Sequence, residues 1–485
     1  MTSLTQLQPH GLWGFFAQFC AIPHPSKHEA ALSQWIQTWA HEQGLPVVVD
    51  EVGNLIIKKP ASPGMEDRKG VILQAHIDMV PQANADTDHD FTRDPIQAYV
   101  DGEWVRAKGT TLGADNGIGA AACLAVLGDR HIKHGPLEVL LTIDEEAGMT
   151  GAKGLQPGLL DGEILLNTDS EQDGEVYMGC AGGVDAQLRF AYEAEPVPAD
   201  HQAWELKLSG LRGGHSGVNI HQGRGNANKL LGRLLHSLSQ ELPLRLAELS
   251  GGTLRNAIPR EARALLLLPA QQAEALAAAL SRLATPLKAE LATIDSKLDF
   301  SLTSAPLPHR CLSLAAQRRL LNGLLACPNG VIRMSDAIAG VVETSTNMGV
   351  ISTQEEAIKL QCLIRSLNES GREHVEQMTQ AVADLAGADC QFSGRYPGWT
   401  PDPASPIMRL LRETHKELFA SDPKIMVIHA GLECGLFQPA YPHWDMVSFG
   451  PTIQGAHSPD ERVHIPAVHR FWQLLISLLE QIPSR

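Results

Sequence analysis

The feature that most constrains the fold is a set of short apolar runs that each lead into an acidic residue or a histidine. Residues 71–80 form an almost unbroken run, and residues 137–143 and 164–167 have the same character. Such runs are typical of strands buried on both faces of a parallel sheet. Residues 118–127, rich in alanine and opened by glycines, predict a helix between the first two strands. We therefore expect an α/β fold whose ligands bind beyond the carboxyl ends of the strands.

Composition and charge narrow the possible functions. The chain has 485 residues and a formal net charge of −16. Nucleic acids and anionic membranes are bound through basic patches, so neither partner is expected. The N-terminus lacks the basic start and apolar core of a secretory signal, and the apolar run at 264–269 is far shorter than the ~20 residues that span a bilayer. A cytoplasmic protein without disulfides is expected.

A second domain is predicted to begin shortly after Gly182 and Gly183. Residues 193–200 are acidic and rich in proline, and helical and strand-like segments alternate beyond them. Residues 396–403 have the composition of a linker. The sequence therefore predicts a catalytic domain formed by residues 1–184 and 395–485, with an inserted α+β domain at 185–394.

Acids and histidines that could hold metal ions follow the apolar runs or lie in glycine-rich turns. They are His76, Asp115, Glu145, Glu146, Asp169 and His457. Carboxylates gathered at one sheet edge repel one another unless cations compensate them. Aspartate, glutamate and histidine without thiolate suit hydrolytic zinc, although manganese or cobalt would fit much the same ligands. One of the two adjacent glutamates should remain off the metal as a general base.

Each position also has a plain structural explanation. His76 could be a hydrogen-bonded core residue, and Asp115 could cap the helix that follows it. Asp78, two residues beyond His76 in the predicted strand, should share its face and either orient the imidazole or bind metal itself.

Two other classes of protein fit the sequence less well. Residues 117–122 fit the G-x-G-x-x-A fingerprint of NAD-dependent oxidoreductases, but they follow a polar turn instead of a buried strand. A non-enzymatic binding protein should lack a metal ligand or the base, and this chain lacks neither. A metal-dependent hydrolase is therefore favoured.

Several motifs then support a resemblance. They are IPHPSKHE at 22–29, QAHIDMV at 74–80, LGADNGIG at 112–119, DEEAGM at 144–149, LNTD at 166–169, AGLECG at 430–435 and HSP at 457–459. With them the chain resembles, over essentially its whole length, the co-catalytic zinc peptidase family of aminoacylases, carboxypeptidases and dipeptidases. The resemblance implies a mixed-sheet catalytic domain with an inserted α+β domain that serves as a lid and in dimerisation.

The resemblance also implies roles for the candidate residues. It places one zinc ion on His76, Asp115 and Asp169, and the other on Asp115, Glu146 and His457. Glu145 becomes the general acid/base and Asp78 the partner of His76. A cis peptide is implied after Asp115.

In the inserted domain, His215 matches a histidine that stabilises the oxyanion and that crosses from the partner subunit in related dimers. Asn256 and Arg365 match positions that bind the substrate's backbone and carboxylate, for which a guanidinium is suited. The long insertion favours the dipeptidase branch of the family. A homodimer that hydrolyses dipeptides is expected, in first place Xaa-His dipeptides such as β-alanyl-histidine, with N-acyl amino acid deacylase and tripeptidase activities as alternatives.

Overall fold

The computed structural model describes residues 3–84 and 86–485. Its α-helices, in chain order, are α1 (His10–Ala21), α2 (Ala30–Glu42), α3 (Ala114–Gly128), α4 (Thr150–Gly154), α5 (Ala227–Glu241), α6 (Ala273–Glu290), α7 (Leu314–Ala326), α8 (Glu369–Ala386), α9 (Pro406–Phe419), α10 (Glu433–Phe437) and α11 (Ile465–Gln481).

Its strands are β1 (Val47–Val49), β2 (Leu55–Lys59), β3 (Val71–His76), β4 (Ala98–Asp101), β5 (Trp104–Ala107), β6 (Leu137–Thr142), β7 (Ile164–Asn167), β8 (Glu175–Cys180), β9 (Gly182–Ala191), β10 (Ala194–Pro196), β11 (His201–Ser209), β12 (Gly214–His215), β13 (Arg245–Gly251), β14 (Ala257–Ile258), β15 (Ala262–Pro269), β16 (Asp299–Ala305), β17 (Arg310–Leu312), β18 (Gly330–Met334), β19 (Val342–Thr353), β20 (Ala357–Ser366), β21 (Asp389–Tyr396), β22 (Lys424–Ile428), β23 (Asp445–Phe449), β24 (Ile453–Gln454) and β25 (Arg462–His464).

The chain forms two compact units. The first comprises the residues up to Gly179 together with 399–427 and 432–485, and the second comprises 180–398 and 428–431. None of the helices in the described part of the chain combines the length and the apolar stretch that a transmembrane helix requires.

A mixed sheet in the order β1-β2-β6-β3-β7-β23-β8-β22 forms the centre of the first unit. Strands β6, β3, β7 and β23 run parallel, whereas β2 is antiparallel to β6 and β8 is antiparallel to β23. Every residue of β3, β6 and β7 is buried, as continuous apolar runs predict. Because these three strands are parallel, their carboxyl ends lie at one edge of the sheet, which is where the candidate residues follow them.

Helix α3 is buried along most of its length, and its helical geometry is interrupted at Asp115 and Asn116. The peptide bond between these two residues is cis, as the resemblance implies. A Cβ on Gly119 would lie 2.3 Å from Asn116 Oδ1 and 2.4 Å from Thr168 Oγ1. The glycine therefore allows close packing inside the first unit, and it does not form the phosphate-binding turn of a dinucleotide fold.

The second unit contains an antiparallel sheet in the order β16-β11-β15-β13-β19-β20-β9-β21, with β18 paired to β19. Helices α5, α6, α7 and α8 contribute apolar side chains to one buried core with this sheet. Strand β9 alternates buried and half-buried residues, as expected for a sheet with one covered face. This arrangement is the α+β type expected for the insertion.

The structure shifts the predicted domain boundaries by a few residues. The boundaries after residues 184 and 394 cut strands β9 and β21, both of which lie entirely in the second unit. Gly182 and Gly183, after which the second domain was expected to begin, are part of β9. A Cβ on Gly182 would lie 2.4 Å from the backbone nitrogen of Gly398, so the glycine allows two chain segments to approach closely.

Two local expectations also change. Strand β3 ends at His76, so Asp78 lies in the following loop and does not share a strand face with His76. Ser26 followed by Glu29 also predicts a helix with Ser26 as its N-cap, which would begin at Lys27, whereas α2 begins three residues later, at Ala30. The Ser26 hydroxyl instead donates a hydrogen bond to Asp78 Oδ2 at 2.7 Å.

Candidate functional site

His76, Asp115 and Asp169 meet at the carboxyl edge of the parallel strands. His76 Nε2 lies 3.2 Å from Asp115 Oδ1 and 3.3 Å from Asp169 Oδ1. His76 is the last residue of β3, Asp169 follows β7 by two residues, and Asp115 lies at the kinked start of α3. All three side chains are largely buried. The fold therefore brings together three candidates from distant parts of the sequence.

His457 and Glu146 form a second group on the other oxygen of Asp115. His457 Nε2 lies 3.2 Å from Asp115 Oδ2 and 2.9 Å from Glu146 Oε1. His457 occupies a turn with φ 65°, and its side chain is half-exposed. Glu146 Oε1 is buried, and His457 Nε2 is its close polar neighbour.

These separations fit ligands of two metal ions. Two ligand atoms about 2.0–2.1 Å from one tetrahedral zinc ion lie roughly 3.3 Å apart. The four pairs are separated by 3.2, 3.3, 3.2 and 2.9 Å, and they use different oxygens of Asp115. The ligand atoms of His76, Asp115 and Glu146 also lie within 4.8 Å of one another. We name the five candidate ligands, His76, Asp115, Glu146, Asp169 and His457, the metal-ligand cluster.

The electrostatics of the cluster also favour bound cations. Burial raises the pKa of Asp169 to about 6, and neighbouring carboxylates add to the effect. The carboxylates of Asp115 and Glu146 raise the pKa of His457 to about 11. Although burial alone would raise the pKa of Asp115, hydrogen bonds from His457 and His76 lower it well below its usual range. The carboxylates thus favour positive charge at both histidines, and divalent cations supply such charge.

Glu145 is adjacent to the cluster and belongs to none of the close ligand pairs. Burial raises its pKa well above the ordinary value, and the charges of Asp169, Glu433 and Glu146 act in the same direction. A carboxyl with a raised pKa can both accept and return a proton near neutral pH.

Asp78 contacts both His76 and the backbone of Glu145 and Glu146. Its backbone carbonyl lies 3.1 Å and its Oδ1 3.3 Å from His76 Nδ1. The same carboxylate accepts hydrogen bonds from the backbone N–H groups of Glu145 at 2.9 Å and Glu146 at 3.2 Å. The interaction with His76 matches the partner expected of Asp78. Its hydrogen bonds to residues 144–149, which we name the acidic loop, were not predicted, because they join residues that are far apart in sequence.

Further acidic residues near the cluster were also missed. Glu29 Oε1 accepts a hydrogen bond from Asp144 N at 3.0 Å and so links the segment before α2 to the acidic loop. Glu433 is buried and accepts hydrogen bonds from Gln74 at 2.7 Å and Thr142 at 2.8 Å. Burial and the charge of Asp115 raise the pKa of Glu171 to about 9. For Glu29 and Glu433, membership in the family-like motifs was the available signal.

In the second unit, the imidazole of His215 has a defined tautomer. The backbone N–H groups of Gly217 and Val218 donate to His215 Nδ1 at 3.1 and 3.0 Å. Because Nδ1 accepts these bonds, the proton of the neutral ring lies on Nε2. Burial and the charge of Arg365 lower the pKa of His215 to about 4. His215 is therefore a neutral ring with an Nε2–H available for donation.

Arg365 is a buried cation without a carboxylate within 4 Å among the described residues. Its Nη1 donates to the Tyr396 hydroxyl at 3.0 Å, while its buried Nε has no acceptor there. Asn256 is exposed and precedes β14, which pairs His215 with Ala257. The second unit thus places Asn256 next to the strand pair that carries His215.

His429 is a neighbour of these residues that the sequence did not reveal. Its Nε2 lies 2.8 Å from Ser345 Oγ, and Ser345 is paired with Arg365 across β19 and β20. Burial lowers the pKa of His429 to about 3, and the charges of Arg365 and His215 contribute. We name His215, Arg365 and His429 the basic cluster. Its composition suits an anionic group.

Comparisons with known proteins agree with the geometry. The sequence profile of peptidase family M20/M25/M40 matches residues 72–481. The cytosol non-specific dipeptidase of Escherichia coli (strain K12) is 54% identical over 485 residues, which is the whole length of both chains.

Solved structures show the same similarity. The crystal structure of aminoacylhistidine dipeptidase from Vibrio alginolyticus is 59% identical, covers 100% of this chain and 99% of its own, and superimposes with a TM-score of 0.95. Aminopeptidase PepT from Bacillus cereus, at 14% identity and a TM-score of 0.56, covers 98% of this chain and 99% of its own and shares the fold. The chain therefore belongs to peptidase family M20/M25/M40 and is a hydrolase of peptide bonds.

Proposed function

We propose that the protein is a dipeptidase that uses two divalent cations, in first place zinc, with manganese or cobalt as substitutes. The observation that carries this proposal is the position of Asp115. One of its oxygens lies with His76 and the other with His457, each at 3.2 Å. A carboxylate placed between two such groups suits a bridging ligand.

The residues would divide between the two ions as follows. His76 and Asp169 would hold one ion, Glu146 and His457 the other, and Asp115 both. When bound, the cations polarise the scissile carbonyl and lower the pKa of a water molecule. Asp78 keeps His76 in the tautomer that leaves Nε2 free to coordinate.

Glu145 carries the proton in this proposal. Its carboxylate accepts a proton from the attacking water and returns it to the nitrogen of the leaving amine. The hydrogen bond from Glu145 N to Asp78 Oδ1 fixes the backbone of this loop. The same carboxylate of Asp78 thus positions a ligand and the proton carrier together.

The second unit supplies groups that recognise the substrate. His215 Nε2–H is proposed to donate to the oxyanion that forms from the scissile carbonyl. Arg365 is proposed to bind the terminal carboxylate and Asn256 the substrate backbone. We further propose that the protein is a homodimer through its second unit, with His215 acting in the site of the partner subunit.

The relatives guide the proposed substrate. One is named a cytosol non-specific dipeptidase and another an aminoacylhistidine dipeptidase. We propose that this chain hydrolyses dipeptides in the cytoplasm, including Xaa-His dipeptides such as β-alanyl-histidine.

A substrate panel on metal-depleted and reconstituted protein tests the proposal. The protein is treated with chelator, its metal content is measured, and zinc, manganese or cobalt is added back. Turnover is then compared on β-alanyl-histidine, other dipeptides, a tripeptide and an acetylated amino acid. We expect two bound ions per chain and fastest turnover on dipeptides. Preference for the acetylated amino acid or the tripeptide would instead make the protein a deacylase or a tripeptidase.

Mixing two inactive variants tests the partner contribution. Glu145→Gln and His215→Ala are mixed in equal amounts and allowed to exchange subunits. If His215 acts across the dimer, half of the chains are in mixed dimers and each mixed dimer has one intact site, so activity recovers to about a quarter of wild type. No recovery, with mixed dimers demonstrated by mass, contradicts the proposal.

A further inference from the structure

Glu461 accepts four backbone hydrogen bonds from the turn that carries Asp115. Its Oε2 accepts from Leu112 N at 2.7 Å and Gly113 N at 3.0 Å. Its Oε1 accepts from Ala114 N at 2.8 Å and Asp115 N at 3.2 Å. The residue is only 2% exposed. Both oxygens of this carboxylate are therefore engaged by consecutive amides.

Glu461 also belongs to the segment that carries His457. It follows His457 by four residues and directly precedes β25. Its own backbone N–H donates to Ser458 O at 3.0 Å. The segment is thus joined to the Asp115 turn twice, once through the His457 imidazole and once through the Glu461 carboxylate.

This double connection matters because neither ligand is held by regular structure. Asp115 and Asn116 have non-helical backbone angles, and His457 lies in a turn at positive φ. Sites on loops are less well defined than sites on helices or strands unless surrounding groups hold them. A buried carboxylate with four amide donors supplies such a constraint.

We propose that Glu461 is a positioning residue for the metal centre, which fixes Asp115 relative to His457. The inference rests on the proposed function, because it assumes that these two residues are metal ligands. Glu461 is not proposed as a ligand itself, since both of its oxygens are already occupied by N–H donors.

The proposal requires a carboxylate at this position. Glutamine has the same shape but only one acceptor oxygen, and its NH2 group would face two of the four amides. Those amides would lose their acceptor inside a buried site, where an unpaired donor is costly. The turn should relax away from that contact and carry Asp115 with it.

Glu138 provides a matched control in the same unit. It is also a buried carboxylate, and its Oε2 accepts from the backbone N–H groups of Asp161 at 2.9 Å and Gly162 at 2.8 Å. It lies near the start of β6, away from the carboxyl edge of the sheet. Glu138→Gln therefore alters a buried carboxylate that two amides and the Lys58 ammonium contact, and it leaves the Asp115 turn undisturbed.

The experiment compares Glu461→Gln, Glu461→Asp and Glu138→Gln with wild type. The metal-free proteins are titrated with zinc against a chromophoric chelator, and kcat, KM and circular dichroism are measured. We expect Glu461→Gln to bind at least one ion about 10–100-fold more weakly, as when groups that orient metal ligands are lost. Its kcat should fall with KM little changed. Glu461→Asp keeps the charge and should recover part of the affinity.

The outcomes separate the two proposals. The positioning role is overturned if folded Glu461→Gln binds zinc as tightly as Glu138→Gln does. If Glu461→Gln does not fold, the role is overturned by a zinc affinity of Glu461→Asp that equals that of wild type. Failure of the proposed function gives a different result, in which wild type itself binds fewer than two ions; that result also overturns the inference.

Discussion

The metal-ligand cluster of the first unit and the basic cluster of the second differ in the sign of the charge they need. In the first, burial and crowding raise the pKa of Asp169 to about 6, and carboxylates raise that of His457 to about 11. In the second, burial lowers the pKa of His215 to about 4 and that of His429 to about 3. The first cluster therefore favours added cations, and the second, whose buried Arg365 guanidinium has an Nε without an acceptor among the described residues, favours an added anion.

The two clusters also differ in how they are built. The metal-ligand cluster combines side chains from strand ends with side chains from loops held by Asp78 and Glu461. The basic cluster depends on strand pairing, since Arg365 is opposite Ser345 and His215 opposite Ala257. We infer that the first cluster is specialised for chemistry and the second for recognising substrate charge. Substitutions that separate turnover, metal binding and substrate binding can break this comparison.

The largest effect is expected for Glu145→Gln. The variant cannot accept the proton of water, so kcat should fall about 1000-fold, within the range for loss of a general base. Metal content should stay at the wild-type value, because Glu145 is outside the close ligand pairs. Steady-state kinetics and metal analysis check both expectations. A near-normal rate would remove Glu145 as the proton carrier, and loss of metal would make it a ligand.

His215→Ala should lower kcat about 100-fold, as expected for loss of one oxyanion donor. Metal affinity should be unchanged, because His215 belongs to the basic cluster. His221→Ala, a substitution of a nearby exposed histidine, is the matched control and should retain activity. If His215→Ala loses zinc, the division between the two clusters is wrong.

Arg365→Lys should raise KM for dipeptides about tenfold, because an ammonium cannot replace the two-pronged contact of a guanidinium with a carboxylate. The decisive comparison uses a dipeptide amide, which lacks the terminal carboxylate. Wild type should discriminate strongly against the amide, and the variant should discriminate much less. Equal discrimination by both proteins would show that Arg365 does not bind this group.

The smallest effect concerns stability and the buried ring of His429. Its pKa in the folded protein is about 3, below the ordinary value of 6.5, so the unfolded chain binds the proton first. This contribution to stability is intact above pH 6.5 and is lost as the pH falls toward 3. Between pH 7 and pH 5, the free energy of unfolding of His429→Gln should therefore fall by about 1–2 kcal/mol less than that of wild type. Urea unfolding at both pH values measures the difference, and identical losses would contradict it.

Much of the first unit could be predicted because its central strands are continuous apolar runs. Strand β7 begins and ends where the sequence indicates, and β3 and β6 begin where predicted. The end of β3 was predicted too late, since Ile77 and Met79 are still apolar and buried in the loop that follows. Periodicity detects burial, and it cannot distinguish a buried strand from a buried loop.

The second unit was harder to predict because its strands and helices depend on partners distant in sequence. The segment at β19 mixes threonine, serine and asparagine with apolar residues, and its middle is buried between β13 and β20. The glycines at 182–183 indicated a boundary, whereas they allow close packing within β9. Composition marks the change between units but does not fix the residue at which it occurs.

The types of residue available for the site, and their positions after apolar runs, follow directly from the order of amino acids in the chain. In the folded chain, His457 Nε2 lies 3.2 Å from Asp115 Oδ2 although the residues are 342 positions apart in sequence. The groups that hold these residues, such as Glu461 on the Asp115 turn and Asp78 on the acidic loop, become apparent only once the chain has folded. Burial without a partner is costly for a carboxylate, and which amides satisfy it depends on how loops meet in three dimensions.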